Sequence, residues 1–116
     1  MFKIAALALL ASSAALAAEI PISGTYGDAY GCEVNRLGLE AAGNEPSSDW
    51  MLVTPTGAEG HEWSCDFLSL KGIKVSASCA AAGDDDPSPE TVTAIESNGV
   101  LTYKDAAGTF ILHRCP

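Results

Sequence analysis

Cys65 and Cys79 stand seven residues to either side of Gly72, within a chain that reverses at Leu70-Lys71-Gly72-Ile73. The runs flanking this reversal alternate like strands. Trp63, Cys65 and Phe67 share one face of the first run by the two-residue period, as do Ile73, Val75, Ala77 and Cys79 of the second. With the turn centred on Gly72, Cys65 faces Cys79, Phe67 faces Ala77 and Ser69 faces Val75. One register therefore aligns both the apolar faces and the sulfurs. Facing Cβ atoms in an antiparallel pair lie ~4.5–5.5 Å apart, slightly wide of the ~3.8 Å disulfide mean, and a non-hydrogen-bonded pair closes that gap.

The chain has four cysteines, which allow three connectivities, so Cys32–Cys115 follows by elimination. Zinc would compete for the same sulfurs. No two cysteines fall at C-x2-C or C-x4-C spacing, however, and neither His61 nor His113 sits at a ligand-like offset from a cysteine pair. Paired cysteines imply an oxidising compartment, and the N-terminus implies the same. Met1-Phe2-Lys3 is a short positive start, Ile4 to Leu10 is unbroken apolar chain, and Ala15-Leu16-Ala17 is the small-x-small pattern of a cleavage site. Residues 1–17 are expected to be a cleaved secretion signal, cut near Ala17/Ala18, with 18–116 a single β domain in the periplasm or outside the cell. The apolar stretch is too short and too rich in Ala and Ser to span a bilayer, which needs ~20 predominantly apolar residues. No cysteine lies at the cleavage site to carry a lipid. No membrane anchor is expected.

Strand signals dominate the rest. Ile20 to Tyr26 reads as a first strand and Tyr30 to Leu37 as a second, with one short helical turn over Val34 to Ala42 as the rival reading. Turn formers fill Gly43 to Asp49, and Trp50 to Thr54 is a strand stopped by Pro55-Thr56-Gly57. Ala81 to Pro89 reads as a loop carrying Asp84-Asp85-Asp86. Asn98-Gly99 is a strong hairpin turn, because both of its positions want positive φ. Pairing across it sets Ala94 opposite Tyr103. A second turn at Asp105-Ala106-Ala107-Gly108 sets Lys104 opposite Thr109, Tyr103 opposite Phe110 and Leu101 opposite Leu112. The two turns, read independently, predict one apolar face of Val92, Ala94, Leu101, Tyr103, Phe110 and Leu112.

Seven or eight short strands predict an all-β domain: a small disulfide-stapled antiparallel barrel or a sandwich, the meander favouring the barrel. Gly24-Thr25-Tyr26 followed by a meander resembles the calycin style of barrel. That resemblance implies that a Gly-x-aromatic strand plugs one barrel end; it assigns no family.

The formal net charge is -9, with 15 acidic and 6 basic residues, and it becomes -10 once Lys3 leaves with the signal. Such a chain lacks the basic footprint of nucleic-acid binding and is repelled by anionic membranes. It suits a basic partner, and solubility equally. Nucleophilic catalysis needs a base and an orienting group beside the nucleophile, and neither His61 nor His113 has that context. No pair among the 15 acids stands out for glycoside hydrolysis. Asp84-Asp85-Asp86 lacks the alternation of a calcium loop, and no glycine-rich phosphate loop exists. No cofactor is expected. These features predict an exported, non-enzymatic binding protein, a monomer or weak dimer acting on a protein partner. Inhibition of a hydrolase is one such role, since a stapled domain offers rigid loops and rigidity lowers the cost of binding. The alternative is a carrier for a small apolar ligand in a barrel cavity. Trp50, Trp63 and Tyr30 are the candidate contact aromatics.

Overall fold

A computed structural model of the chain describes residues 18–43 and 50–116. The signal expected over 1–17 and most of the turn-former run, 44–49, lie outside the described residues. The elements are β1 (Tyr26–Gly27), α1 (Ala29–Leu37), α2 (Leu39–Ala42), β2 (Met51–Thr54), β3 (Gly57–Gly60), β4 (Trp63–Lys71), β5 (Lys74–Ala81), β6 (Ser88–Ser97), β7 (Val100–Asp105) and β8 (Gly108–Arg114). The strands follow one another around a closed antiparallel barrel. Two-residue β1 completes it, with Tyr26 opposite Val53 of β2 on one side and Arg114 of β8 on the other.

The C-terminal meander has the expected register: Ala94 faces Tyr103, Tyr103 faces Phe110, Leu101 faces Leu112 and Lys104 faces Thr109. Asn98 and Gly99 both hold positive φ. Cys65 faces Cys79 and Phe67 faces Ala77, also as expected, but Ser69 faces Ser76 rather than Val75. A bulge between Phe67 and Ser69 shifts the register and bends β4. There the Phe67 N–H donates to Thr56 O, and the Phe67 carbonyl accepts from Ala18 N. The reversal consequently tightens to Gly72-Ile73, and Ile73, expected on the apolar face, is exposed in the turn.

Three further expectations are corrected. The strand over Ile20 to Tyr26 shrinks to Tyr26–Gly27. Its earlier residues instead cross the barrel end, where Ile20 N donates to Pro55 O and Ile20 is buried in the core. This crossing covers the end with residues before Gly24, whereas Tyr26 of the Gly-x-aromatic segment that the calycin resemblance assigns to the plug stands in the barrel wall. Tyr30 to Leu37 is helix, not strand. Asp28 caps α1 by accepting from Gly31 N at 2.6 Å, and Gly38 closes it by donating to Val34 O. Lastly, β3 begins at Gly57, read from sequence as part of a strand stop, and runs through Ala58 to Gly60, for which the sequence offered no strand signal.

The interior is filled by the alternating residues of all strands, and Tyr26, Phe67, Val53, Val75, Val92, Leu101 and Tyr103 are all fully buried. Leu52 is buried yet lies outside this core, on the outer wall that α1 covers. The helix lies so close that a Cβ at Gly31 would fall 2.3 Å from Met51 O. Cys32–Cys115 fastens the helix there, with Cα atoms 5.2 Å apart, while Cys65–Cys79 spans β4 and β5 on the inner face at 4.0 Å.

Candidate functional site

The two barrel ends differ. At the plugged end Tyr26 Oη donates to Glu96 at 3.1 Å and accepts from Arg114 at 3.2 Å, and the guanidinium lies 5.6 Å from the Tyr26 ring centroid. The other end is open, ringed by α1 and α2, the β3–β4 turn, the β5–β6 loop and the β7–β8 turn.

Two depressions meet at this open end, sharing Trp50, Trp63, Ala80 and Ala81. The inner one is a cup of about 620 Å³. Its apolar surface comes from Met51, Trp63, Phe110 and the Cys65–Cys79 bridge, and its carboxylates are Asp28, Asp84, Glu90 and Asp105. The outer one is a groove of about 810 Å³ between the helices and the β3–β4 turn. Val34 and Leu39 form part of its apolar wall, with Glu40, Glu59 and Glu62 as its acids. The Trp63 indole lies across Gly60, where a Cβ would fall 2.3 Å from Trp63 Nε1. Glycine at 60 is what lets that ring lie flat against the wall.

Strand alternation explains the inner acids. Ser88, Glu90, Val92 and Ala94 share the inward face of β6, and Leu101, Tyr103 and Asp105 that of β7. Each inward row is apolar at depth and carries a carboxylate at the open end. Neither lining holds a lysine or an arginine. Lys71 and Lys74 flank the β4–β5 turn and Arg114 lies at the plugged end.

Two polar atoms here have no hydrogen-bond partner among the described residues, Trp50 Nε1 and Tyr103 Oη. Trp50 lines both depressions and is 7% exposed. Tyr103 is fully buried beside its cross-strand partner Phe110, just under the cup. Burial, and after it the charges of Asp105 and Glu90, push the Tyr103 phenol well above its ordinary range, so it is a neutral hydroxyl at any physiological pH. An unpaired buried hydroxyl costs ~1–3 kcal/mol. Tyr103→Phe is therefore expected to raise the unfolding free energy by about 1 kcal/mol, read from urea midpoints at unchanged slope.

Compared with protein-family models, curated proteins and solved structures, the chain matches none. The functional reading rests on the geometry itself.

Of the contact aromatics expected from sequence, the structure brings Trp50 and Trp63 together at the open end. Tyr30 sits apart from both linings, on α1, where its hydroxyl donates to the Gly43 carbonyl. His61 lies in the β3–β4 turn on the outer groove, 3.8 Å from the Glu62 carboxylate, whereas His113 faces Gly27 and Val100. Asp84 accepts from the Asp86 N–H within its own loop, and no cluster of three metal-ligating side chains forms among the described residues. The residues missed by sequence reasoning are Asp28, Glu90, Asp105, Met51 and Phe110 as one lining. Glu90 and Asp105 carried a signal, since each continues an apolar alternation by two residues.

Proposed function

We propose that this is an exported, non-enzymatic binding protein whose open barrel end takes a basic segment of a protein partner. The observation that carries the reading is the pair of joined linings, which set carboxylates around two tryptophans with no lysine or arginine among them. Complementary charge steers encounter and selects partners, and the aromatic floor supplies the apolar contact area that anchors interfaces. Trp50 Nε1, a donor without an acceptor among the described residues, suits the carbonyl of an inserted peptide. Inhibition of a basic hydrolase by occupation of a loop is one form this binding takes. Carriage of an apolar ligand fits less well. Side chains fill the interior below the cup, and a ring of acids repels fatty anions.

The test is retention on immobilised lysozyme as a basic hydrolase. Binding is expected at ~0.01 M salt, where charges are felt over ~30 Å, and loss near 1 M, where the range is ~3 Å. Because any acidic protein adheres weakly to a basic one, location decides the matter. Neutralising Glu59 and Glu62 (E59Q/E62Q) is expected to lower retention, whereas neutralising Glu19 and Asp66 (E19Q/D66N), away from the site, leaves it unchanged. Equal losses in the two variants, or no retention at low salt, overturn the proposal.

A further inference from the structure

The geometry points to the inner cup as a site for one organic cation, an ammonium or guanidinium carried on an apolar stem. The inference rests on the binding reading above and narrows it to one cup and one chemical group. Three independent observations converge on it.

The first is the direction in which the acids face. Carboxylates that serve solubility do so equally well on the outer wall, as Asp66 does on β4. Glu90 and Asp105 instead continue the inward rows of β6 and β7, and with Asp28 and Asp84 they surround the cup without a basic side chain in its lining. Negative charge gathered in a concave site, uncompensated by protein, favours a cation there.

The second is the surface below those acids. Met51, Phe110 and the Cys65–Cys79 bridge are apolar, which suits methylene groups. Trp50 and Trp63 add the aromatic faces over which ammonium and guanidinium groups settle. A bare metal ion would gain nothing from such a floor. An apolar anion would be repelled by the acids above it.

The third is Tyr103. Its hydroxyl is fully buried beside Phe110, at the level where the inward rows pass from apolar to acidic, and nothing among the described residues pairs with it. The oxygen has lone pairs to offer an N–H donor. Asp105 is the next inward residue of β7 after Tyr103, and Phe110, its cross-strand partner, lines the cup, so a cation reaching past Phe110 would approach this oxygen from beneath the acids. The hydroxyl that weakens the empty fold thereby gains a partner in the complex.

Two sources supply this chemistry, a free amine or a lysine or arginine side chain of a partner, and the test separates them. The chain's only tryptophans, Trp50 and Trp63, both line the cup, so intrinsic fluorescence reports its occupancy directly. Hexylammonium is expected to shift the emission saturably, with hexanol binding at least tenfold more weakly and hexanoate not at all. A short peptide with one central lysine forms the second arm. Its binding assigns the cup to a partner's side chain, and its exclusion while hexylammonium binds assigns it to free amines. E90Q/D105N is expected to weaken hexylammonium at least tenfold. Y103F weakens it severalfold while raising thermal stability, a combination that a purely structural tyrosine would not produce. Equal response to hexylammonium, hexanol and hexanoate, or full binding by E90Q/D105N, overturns the inference. Lysozyme retention without amine binding would remove the cup assignment alone. Amine binding without retention would remove the protein-partner reading alone.

Discussion

Replacing Cys32 and Cys115 by serine is expected to lower the unfolding free energy by about 4–5 kcal/mol, against about 3 kcal/mol for replacing Cys65 and Cys79 by alanine. The difference comes from the unfolded chain. Cys32–Cys115 closes a loop with a sequence separation of 83 and Cys65–Cys79 one of 14, so the first withdraws more conformational freedom. A domain of this size has ~5–15 kcal/mol in total, which makes the long bridge a large fraction of what holds the barrel closed. Local consequences should differ as well. Without its bridge, α1 is held on the outer wall by non-covalent contacts such as that of Gly31 with β2, the cover over Leu52 and the bond from the Asp28 N–H to Met51 O. The long-bridge variant should therefore lose amide protection in α1 before the meander does. Urea titrations of the two variants, with hydrogen exchange on the first, measure both effects. Equal destabilisation by the two variants would show that strain or packing, and not loop length, sets the contribution of each bridge.

The parts of this fold legible in sequence were those where two local signals had to agree. Asn98-Gly99 and the turn at Asp105 to Gly108 each specify a register, and the two agree on Leu101 and Tyr103, so that together they put six residues on one face. The sulfurs and apolar positions around Gly72 do likewise, as far as Phe67. Beyond Phe67 the extra residue at the bulge is set by hydrogen bonds to Thr56 and Ala18, partners remote in sequence and so invisible to a local pattern. The helix was misread because Tyr30, Cys32 and Val34 alternate like a strand, although Tyr30 and Val34 are equally neighbours one helical turn apart. The signal that should have decided was punctuation: Asp28 as cap and Gly38 as stop. Gly57-Ala58-Glu59-Gly60 has no strand propensity of its own. It is a strand because β2 and β4 pair with it on both sides, which is tertiary context overriding propensity.

The site was half legible for a related reason. Aromatics draw notice singly, as Trp50 and Trp63 do in the candidate lining. The inner acids become meaningful only once the strand register is known, because an inward carboxylate and an outward one are the same letter. Closing the meander brings Glu90 and Asp105 to one cup, and the β1–α1 junction adds Asp28 from the far end of the chain. Fold and charge pattern thus have to be read together before the cup exists at all.

The plugged end makes the opposite use of charge, and Tyr26 is where this can be measured. Tyr26→Ala removes a fully buried ring from the two-residue strand that completes the barrel, and it is expected to cost about 3–5 kcal/mol, the usual range for deleting a buried aromatic. Tyr26→Phe keeps the ring and is expected to cost about 1 kcal/mol, because only the bonds to Glu96 and Arg114 are lost. The smaller change also tests pH dependence. The Gly99 N–H, then the Tyr26 hydroxyl, and to a lesser extent Arg114, hold the Glu96 carboxyl below the usual carboxylate range. A folded-state value that is depressed contributes stability present above the unfolded value, and this stability disappears as pH falls through the folded one. Tyr26→Phe deletes the second of those causes. The gap in stability between the parent protein and Tyr26→Phe should accordingly be widest near neutral pH and narrow as pH drops below about 4. Urea midpoints across that range, with Glu96→Gln as the variant that lacks the titration altogether, measure the gap. If the parent and Tyr26→Phe lose stability in parallel throughout, the hydroxyl does not act on the carboxylate, and the end is held by the packing of the ring alone.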